Sequence, residues 1–342
     1  MKAAILRSFN QPLSIEELPV PQPLPDEVVI RVHACGVCHS DLHLADADWD
    51  LLKRHTKLPL ILGHEVTGVV DTVGEAVAEL RRGDRVGVPW LHWTCGECEY
   101  CREGREVLCN KQSITGVTVD GGYAEFVKAK ASHCVHVPDG LSSAEAAPLL
   151  CAGVTAYRGL KQAGLASGQR VTVYGVGGLG HLAIQIAKAK GAIVSAVDIR
   201  EDKLELAREC GADWAGTEKP ERAHVAIVTS ASAKAYEAAL KGLRKGGTLA
   251  VVGMPAEPFA VSAVSVVAGE YRLLGSAVGT RQDLREILAL AATGAVRCRH
   301  HVRRLDDVNA IFDEMRRGDV AARAVVEFPG RVDTLSARRQ DP

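Results

Sequence analysis

Over roughly its first 140 residues the chain strings short apolar runs between Pro, Gly and Asp punctuation. VVIRV at Val28 to Val32 and VTGVVDTVG at Val66 to Gly74 have the length and β-branched content of strands, and MKAAILRSFN opens on a short one interrupted by Arg7. From about Val171 the rhythm changes. VTVYG is followed by a helical pattern with Leu182, Ala183, Ile186 and Ala187 on one face, then IVSAVD, DKLELAREC, HVAIV, a further helix and TLAVVG. Short apolar strands alternating with helices predict a parallel sheet covered on both faces. The expected fold class is therefore α/β: a mainly β part joined to a doubly wound (Rossmann) sheet. Beyond about Thr280 come two more helical stretches and the strand RAVVEF, then a polar tail, RVDTLSARRQDP, expected to be mobile. No internal repeat or low-complexity segment interrupts this order.

Composition adds constraints. A chain of 342 residues that is 47% hydrophobic and 24% charged suits two soluble globular domains. Its net charge of -1, without a run of Lys or Arg, argues against nucleic acid as a partner. The N-terminus lacks the apolar core of a signal peptide, and no stretch has the apolar length of a membrane span, so a cytoplasmic protein without a membrane partner is expected. There, closely spaced cysteines bind metal or do redox chemistry more often than they form disulfides.

Four of the ten cysteines, Cys95, Cys98, Cys101 and Cys109, lie in CGECEYCREGREVLC. The spacing C-x2-C-x2-C-x7-C allows four thiolates to close around one zinc ion, leaving no position for substrate. An iron–sulfur cluster is the main rival, but the bacterial ferredoxin run has three residues before its last Cys and a Pro after it. Here there are seven, then Asn110. A second set is scattered: Cys38 in CGVCHSDLH, His64 and Glu65 in GHE, and Cys151 in LLCAGVT. No local spacing joins them. Cys35 makes a C-x-x-C with Cys38 but lacks the βαβ context of a redox pair. Cys35, Cys134, Cys210 and Cys298 are expected to be small buried hydrophobes.

GVGGLG, with Gly175, Gly177, Gly178 and Gly180, directly follows VTVY and opens a helix. Its amides would meet a pyrophosphate at the helix N-terminus while the glycines allow close approach. The next strand ends in Asp198, where a carboxylate accepts both adenosine ribose hydroxyls and repels a 2′-phosphate, favouring NAD over NADP. Arg200 would offset part of that repulsion. A mere Gly-rich turn beside a surface Asp would leave these matched features to coincidence.

In this order, CHSDLH, LPLILGHE, CGECEYC, DGGYAEF, LLCAGVT and VYGVGGLGHLAIQIAK resemble the zinc-dependent medium-chain alcohol dehydrogenases of bacterial and yeast type, over nearly the whole chain up to the tail. The resemblance implies a GroES-like catalytic domain at 1–151 and 280–330, a structural zinc lobe at 95–109, and a Rossmann NAD-binding domain at 152–279, with the active site in the cleft. It implies that Cys38, His64 and Cys151 hold a catalytic zinc with a fourth position for water or alcohol. Glu65 resembles an alternating or neighbouring ligand, and Asp41 the carboxylate that orients the zinc-bound histidine. Hydride transfer needs an alkoxide, which zinc makes accessible at neutral pH.

The proton would leave through Ser40 towards His43. His39 and Arg323, the latter before the final strand, match pyrophosphate contacts; Lys203 matches a ribose contact; Thr155 and Leu179 match positions beside the nicotinamide. Trp49 and Trp90 resemble pocket-lining tryptophans that favour small primary alcohols and the matching aldehydes. Each polar residue also has a plainer reading: Ser40 as a cap, His43 as a surface histidine, the tryptophans as core.

Relatives imply a homo-oligomer, dimer or tetramer. The alternatives are the same zinc chemistry on a polyol, aryl alcohol or hydroxyacid, a zinc-free quinone or enone reductase lacking the scattered ligand set, and a non-catalytic NAD-sensing zinc protein. The segment DLLKRHTK, Leu62 before GHE, and HWTC depart from the yeast-like pattern and bear on substrate range.

Overall fold

A computed structural model of the chain describes residues 1–49, 53–218 and 220–328. The polar tail at 331–342 and the first residues of DLLKRHTK lie outside the described residues. The chain divides into two compact units: residues 1–151 with 280–292 and 298 onward, and residues 152–279 with 293–297.

The first unit is built on the long strand Glu27–Val37, whose nearly continuous buried residues reflect neighbours on both sides. One edge pairs antiparallel with Val66–Val73, across two register shifts that bend the strand. The other edge is shared: Glu27–Arg31 pairs with Phe126–Lys130, and Ala34–Val37 with the C-terminal strand Arg323–Glu327. That last strand pairs parallel with His300–Arg304. Lys2–Leu6 forms a separate three-stranded sheet with Ser14–Glu17 and Leu60–Ile61. Leu6, Ile30, Leu62, Val66, Tyr123 and Phe312 are buried in the core between these sheets.

The second unit is a six-stranded, all-parallel sheet in the order Trp214–Gly216, Ile193–Val197, Arg170–Tyr174, Ala223–Val228, Leu243–Val251, Arg272–Gly275. The helix Gly180–Ala189 buries Leu182, Ala183, Ile186 and Ala187, the face its apolar spacing predicts. The helix Ala263–Gly269 and the edge strand Arg272–Gly275 have no counterpart in the pattern reading. Val264, Val267 and Leu273 are exposed, so these elements carry no inward-facing period to detect.

Candidate metal and dinucleotide sites

The scattered set is assembled by local turns. Cys38 caps the helix His39–Ala45, and Asp41 in its first turn accepts the Cys38 backbone N–H at 3.0 Å. Gly63 holds φ +94°, and a Cβ there would stand 2.7 Å from the Tyr123 ring. Only glycine thus lets the chain turn into His64 and Glu65. Cys151 follows the 3-10 turn Ala147–Leu150. Ligand atoms of Cys38, His64, Glu65 and Cys151, all buried, lie within 4.8 Å of one another.

Asp41 is the hub beneath this cluster. Besides Cys38 it accepts from Gly63 N–H at 3.2 Å, His64 Nδ1 at 2.9 Å and the Tyr123 hydroxyl at 2.8 Å. The bond to Nδ1 directs the other ring nitrogen, Nε2, towards the thiols, where it is buried without a hydrogen-bond partner. A buried ring nitrogen lacking a partner beside two cysteines suits a Cys2His metal centre. The Cys38 thiol is held well below its ordinary value by the Cys151 thiol donating to it, with His64 adding to the effect. A ready thiolate is what a cation requires.

Glu65 is tied elsewhere: both its oxygens meet the Arg323 guanidinium, and both residues are buried. Burial pushes the Glu65 carboxyl up, and Arg323 works against that shift. Arg323 begins the final strand rather than preceding it, and it is 3% exposed, bonded to Glu65 of the candidate cluster. A Cβ on Gly36 would fall 1.9 Å from Glu65 Oε2, so glycine is required there too. Tyr123 and Gly36 were given no role by sequence reasoning. Their partners are far along the chain, and no spacing rule links them.

Ser40 Oγ lies 3.7 Å from Cys38 Sγ. The half-buried His43 ring stacks on Trp49, centroids 4.8 Å apart, and its Nδ1 lies 2.8 Å from Asp48 Oδ2. His39 is exposed, with its ring 6.2 Å from that of His43. Trp90 sets its ring edge-on to His64 at 4.8 Å. The structure thus brings Trp90 to His64 of the candidate metal cluster and Trp49 to His43. Cys35 and Cys298 are buried as expected, but Cys134 and Cys210 are only half-buried. Cys134 ends the 3-10 turn Ala131–His133 and Cys210 caps the helix Glu201–Glu209, element ends whose burial apolar character alone does not reveal.

In the lobe, Cys95 leaves the strand Leu91–Trp93, Cys98 caps the one-turn helix Glu99–Arg102, and Cys109 ends the 3-10 turn Glu106–Leu108. Cys95 Sγ lies 3.6 Å from Cys109 Sγ and 3.9 Å from Cys101 Sγ. A tetrahedron with Zn–S bonds of about 2.3 Å has S–S edges of about 3.8 Å, close to these two separations, and all four sulfurs lie within 4.8 Å of one another. Backbone N–H groups of Glu97 and Cys98 bring the Cys95 thiol down to about 6, favouring the thiolate. Glu106 anchors the lobe through Arg281, which donates from its backbone at 2.8 Å and from Nε at 3.0 Å and Nη2 at 2.9 Å. Cys101→Ser is expected to lower Tm by roughly 10 °C while kcat at moderate temperature stays near wild type. Lost turnover at unchanged Tm, measured by calorimetry beside an activity assay, would contradict a purely structural lobe.

In the second unit, Gly175 follows Tyr174 with φ +89°, and a Cβ on Gly180 would lie 1.9 Å from the Gly175 carbonyl oxygen. A Cβ on Gly177 would meet nothing within 4 Å, leaving an open cradle in front of the backbone. Gly178 and Leu179 complete the turn, with Leu179 as the cap of the helix Gly180–Ala189. Asp198 accepts from Val176 N–H at 2.7 Å and Arg200 N–H at 3.1 Å. A carboxylate has lone pairs left after these bonds, so Asp198 can still receive hydroxyls. Lys203 and Thr155, each under 10% exposed, lie on the helices Glu201–Glu209 and Ala152–Gln162.

Comparison with known proteins agrees with both halves. The family described as "Alcohol dehydrogenase GroES-like domain" matches residues 24–139, and the family described as "Zinc-binding dehydrogenase" matches 178–293. An alcohol dehydrogenase of Geobacillus stearothermophilus is 45% identical over 96% of this chain and 99% of its own. The solved alcohol dehydrogenase of the hyperthermophilic archaeon Aeropyrum pernix is 36% identical with a TM-score of 0.87, covering 96% of this chain and 100% of that one. The acetophenone reductase of Geotrichum candidum, solved in complex with NAD, is 30% identical with a TM-score of 0.87, covering 96% and 97%.

Proposed function

Because the chain belongs to the zinc-type medium-chain alcohol dehydrogenases, we propose that it oxidises small primary alcohols to aldehydes with NAD as hydride acceptor, and runs the reverse reduction. The observation that carries this reading is the buried Cys38, His64 and Cys151 set, with His64 Nε2 unpartnered and Nδ1 fixed by Asp41. A zinc ion held there supplies Lewis acidity, making an alcohol hydroxyl acidic enough to lose its proton near neutral pH. Ser40 takes that proton, and the half-buried His43 releases it to solvent.

Arg323 holds Glu65 by charge and keeps it from competing as a ligand. The bulk of Trp90, edge-on to His64, narrows the space beside the zinc ligands and so favours a short alcohol over a branched one. Gly175, Gly177, Gly178, Leu179 and Gly180 receive the pyrophosphate, and Thr155 flanks the nicotinamide. Asp198 and Lys203 take the adenosine ribose. Cys95, Cys98, Cys101 and Cys109 hold a second, structural zinc. The working form is a homo-oligomer, dimer or tetramer, in the cytoplasm. Among the described residues no helix is long and apolar enough to cross a membrane.

Steady-state rates with NAD and NADP across ethanol to hexanol and benzyl alcohol, repeated after zinc chelation, test this reading. Chelator-sensitive turnover that favours NAD and short chains is expected. Turnover that survives removal of zinc would sink the mechanism, and zinc-bound protein inert to every alcohol would favour the sensor alternative.

A further inference from the structure

We infer that Asp202 is a cofactor-specificity residue: it occupies the Arg200 guanidinium and so withholds that cation from the 2′-phosphate of NADP. The inference rests on the NAD reading above. Arg200 directly precedes the helix Glu201–Glu209, and its backbone N–H is bonded to Asp198, the carboxylate assigned to the adenosine ribose. The residue carrying the cation is therefore tied to the residue that selects the cofactor.

Left to itself, a guanidinium at this position would offset Asp198 and offer a phosphate two parallel donors. Instead, Nε donates to Asp202 Oδ1 at 2.9 Å and Nη2 to Oδ2 at 2.8 Å, the two-point geometry a phosphate would otherwise claim. Arg200 holds the Asp202 carboxyl below its ordinary value, so it stays ionised. The cation is thereby taken, and the charge that would offset Asp198 is neutralised by Asp202. With side chains about half exposed, at 48% and 52%, the pair contributes little to folding. Its consequence is for which cofactor binds.

Asp202→Asn keeps the side-chain shape and removes the charge. Calorimetry on the full chain would give dissociation constants for adenosine 2′,5′-bisphosphate and AMP, and for NADP and NAD. The ratio of phosphorylated to unphosphorylated constants is expected to fall about three- to tenfold in this variant. Adding Arg200→Ala should restore the wild-type ratio, since the gain needs the released guanidinium. An unchanged ratio in Asp202→Asn, or a fall that persists in the double variant, would overturn the inference while leaving the NAD reading standing. A wild-type chain that itself prefers the bisphosphate and NADP would overturn the NAD reading and this inference with it.

Discussion

Replacing Cys151 by serine is expected to lower kcat/KM for alcohol oxidation on the order of a thousandfold and to reduce bound zinc from two ions per chain to one. A serine hydroxyl is a neutral, harder donor that does not ionise near neutral pH, so the three-donor set loses a charge as well as a soft ligand. The remaining atoms, Cys38 Sγ and His64 Nε2, are too few to hold the ion against water. Because Cys151 is a small side chain at the end of a short 3-10 turn, its loss should leave the fold nearly intact. Elemental analysis and calorimetry on the same preparation make the contrast with Cys101→Ser, where Tm falls and turnover survives. Two ions still bound, with turnover within tenfold of wild type, would refute the assignment.

Asp41→Asn should be nearly as damaging, although Asp41 is not itself one of the clustered candidate ligands. The carboxylate is 1% exposed and accepts four hydrogen bonds, from Cys38 N–H, Gly63 N–H, His64 Nδ1 and the Tyr123 hydroxyl. An asparagine has one oxygen to share among these donors, and its amide N–H₂ must face at least one of them. Leaving buried donors unmatched is expected to cost about 3–5 kcal/mol of stability, read from denaturant unfolding. Freeing the His64 ring should weaken zinc about 10- to 100-fold in a competition titration. Tyr123→Phe removes a donor rather than the acceptor, so it should cost only about 1–2 kcal/mol. Wild-type unfolding and zinc affinity in Asp41→Asn would show that some other group orients His64.

What the chain reveals about itself depends on separation along the sequence. Cys95 and Cys109 are 14 residues apart, so their lobe is visible as a spacing, and the glycine turn with Asp198 is visible as one strand–helix–strand unit. The buried face of Gly180–Ala189 likewise follows from its own period. Cys38, His64 and Cys151 come together only through folding, and only resemblance to a known family suggests them as one set. The contacts that organise them are less legible still: Tyr123 reaches Asp41 across 82 positions, and Arg323 reaches Glu65 across 258. Neither polar pair has an apolar pattern that would announce it. The half-buried Cys134 and Cys210 show the same limit, because residue type alone does not say how deeply an element's end is buried.

The pairing of Glu65 with Arg323 also bears on how the protein is made. The strand that begins at Arg323 fills a place between Glu27–Val37 and His300–Arg304, so the first sheet has a gap until nearly the last described residue is synthesised. At about 5–20 residues per second, a ribosome needs on the order of ten seconds to travel from Cys151 to Arg323. During that interval Glu65 has no guanidinium, and sealing its ionised carboxylate from water without one is costly. A nascent chain is therefore expected to keep Cys38, His64 and Cys151 open to water until the C-terminal strand docks.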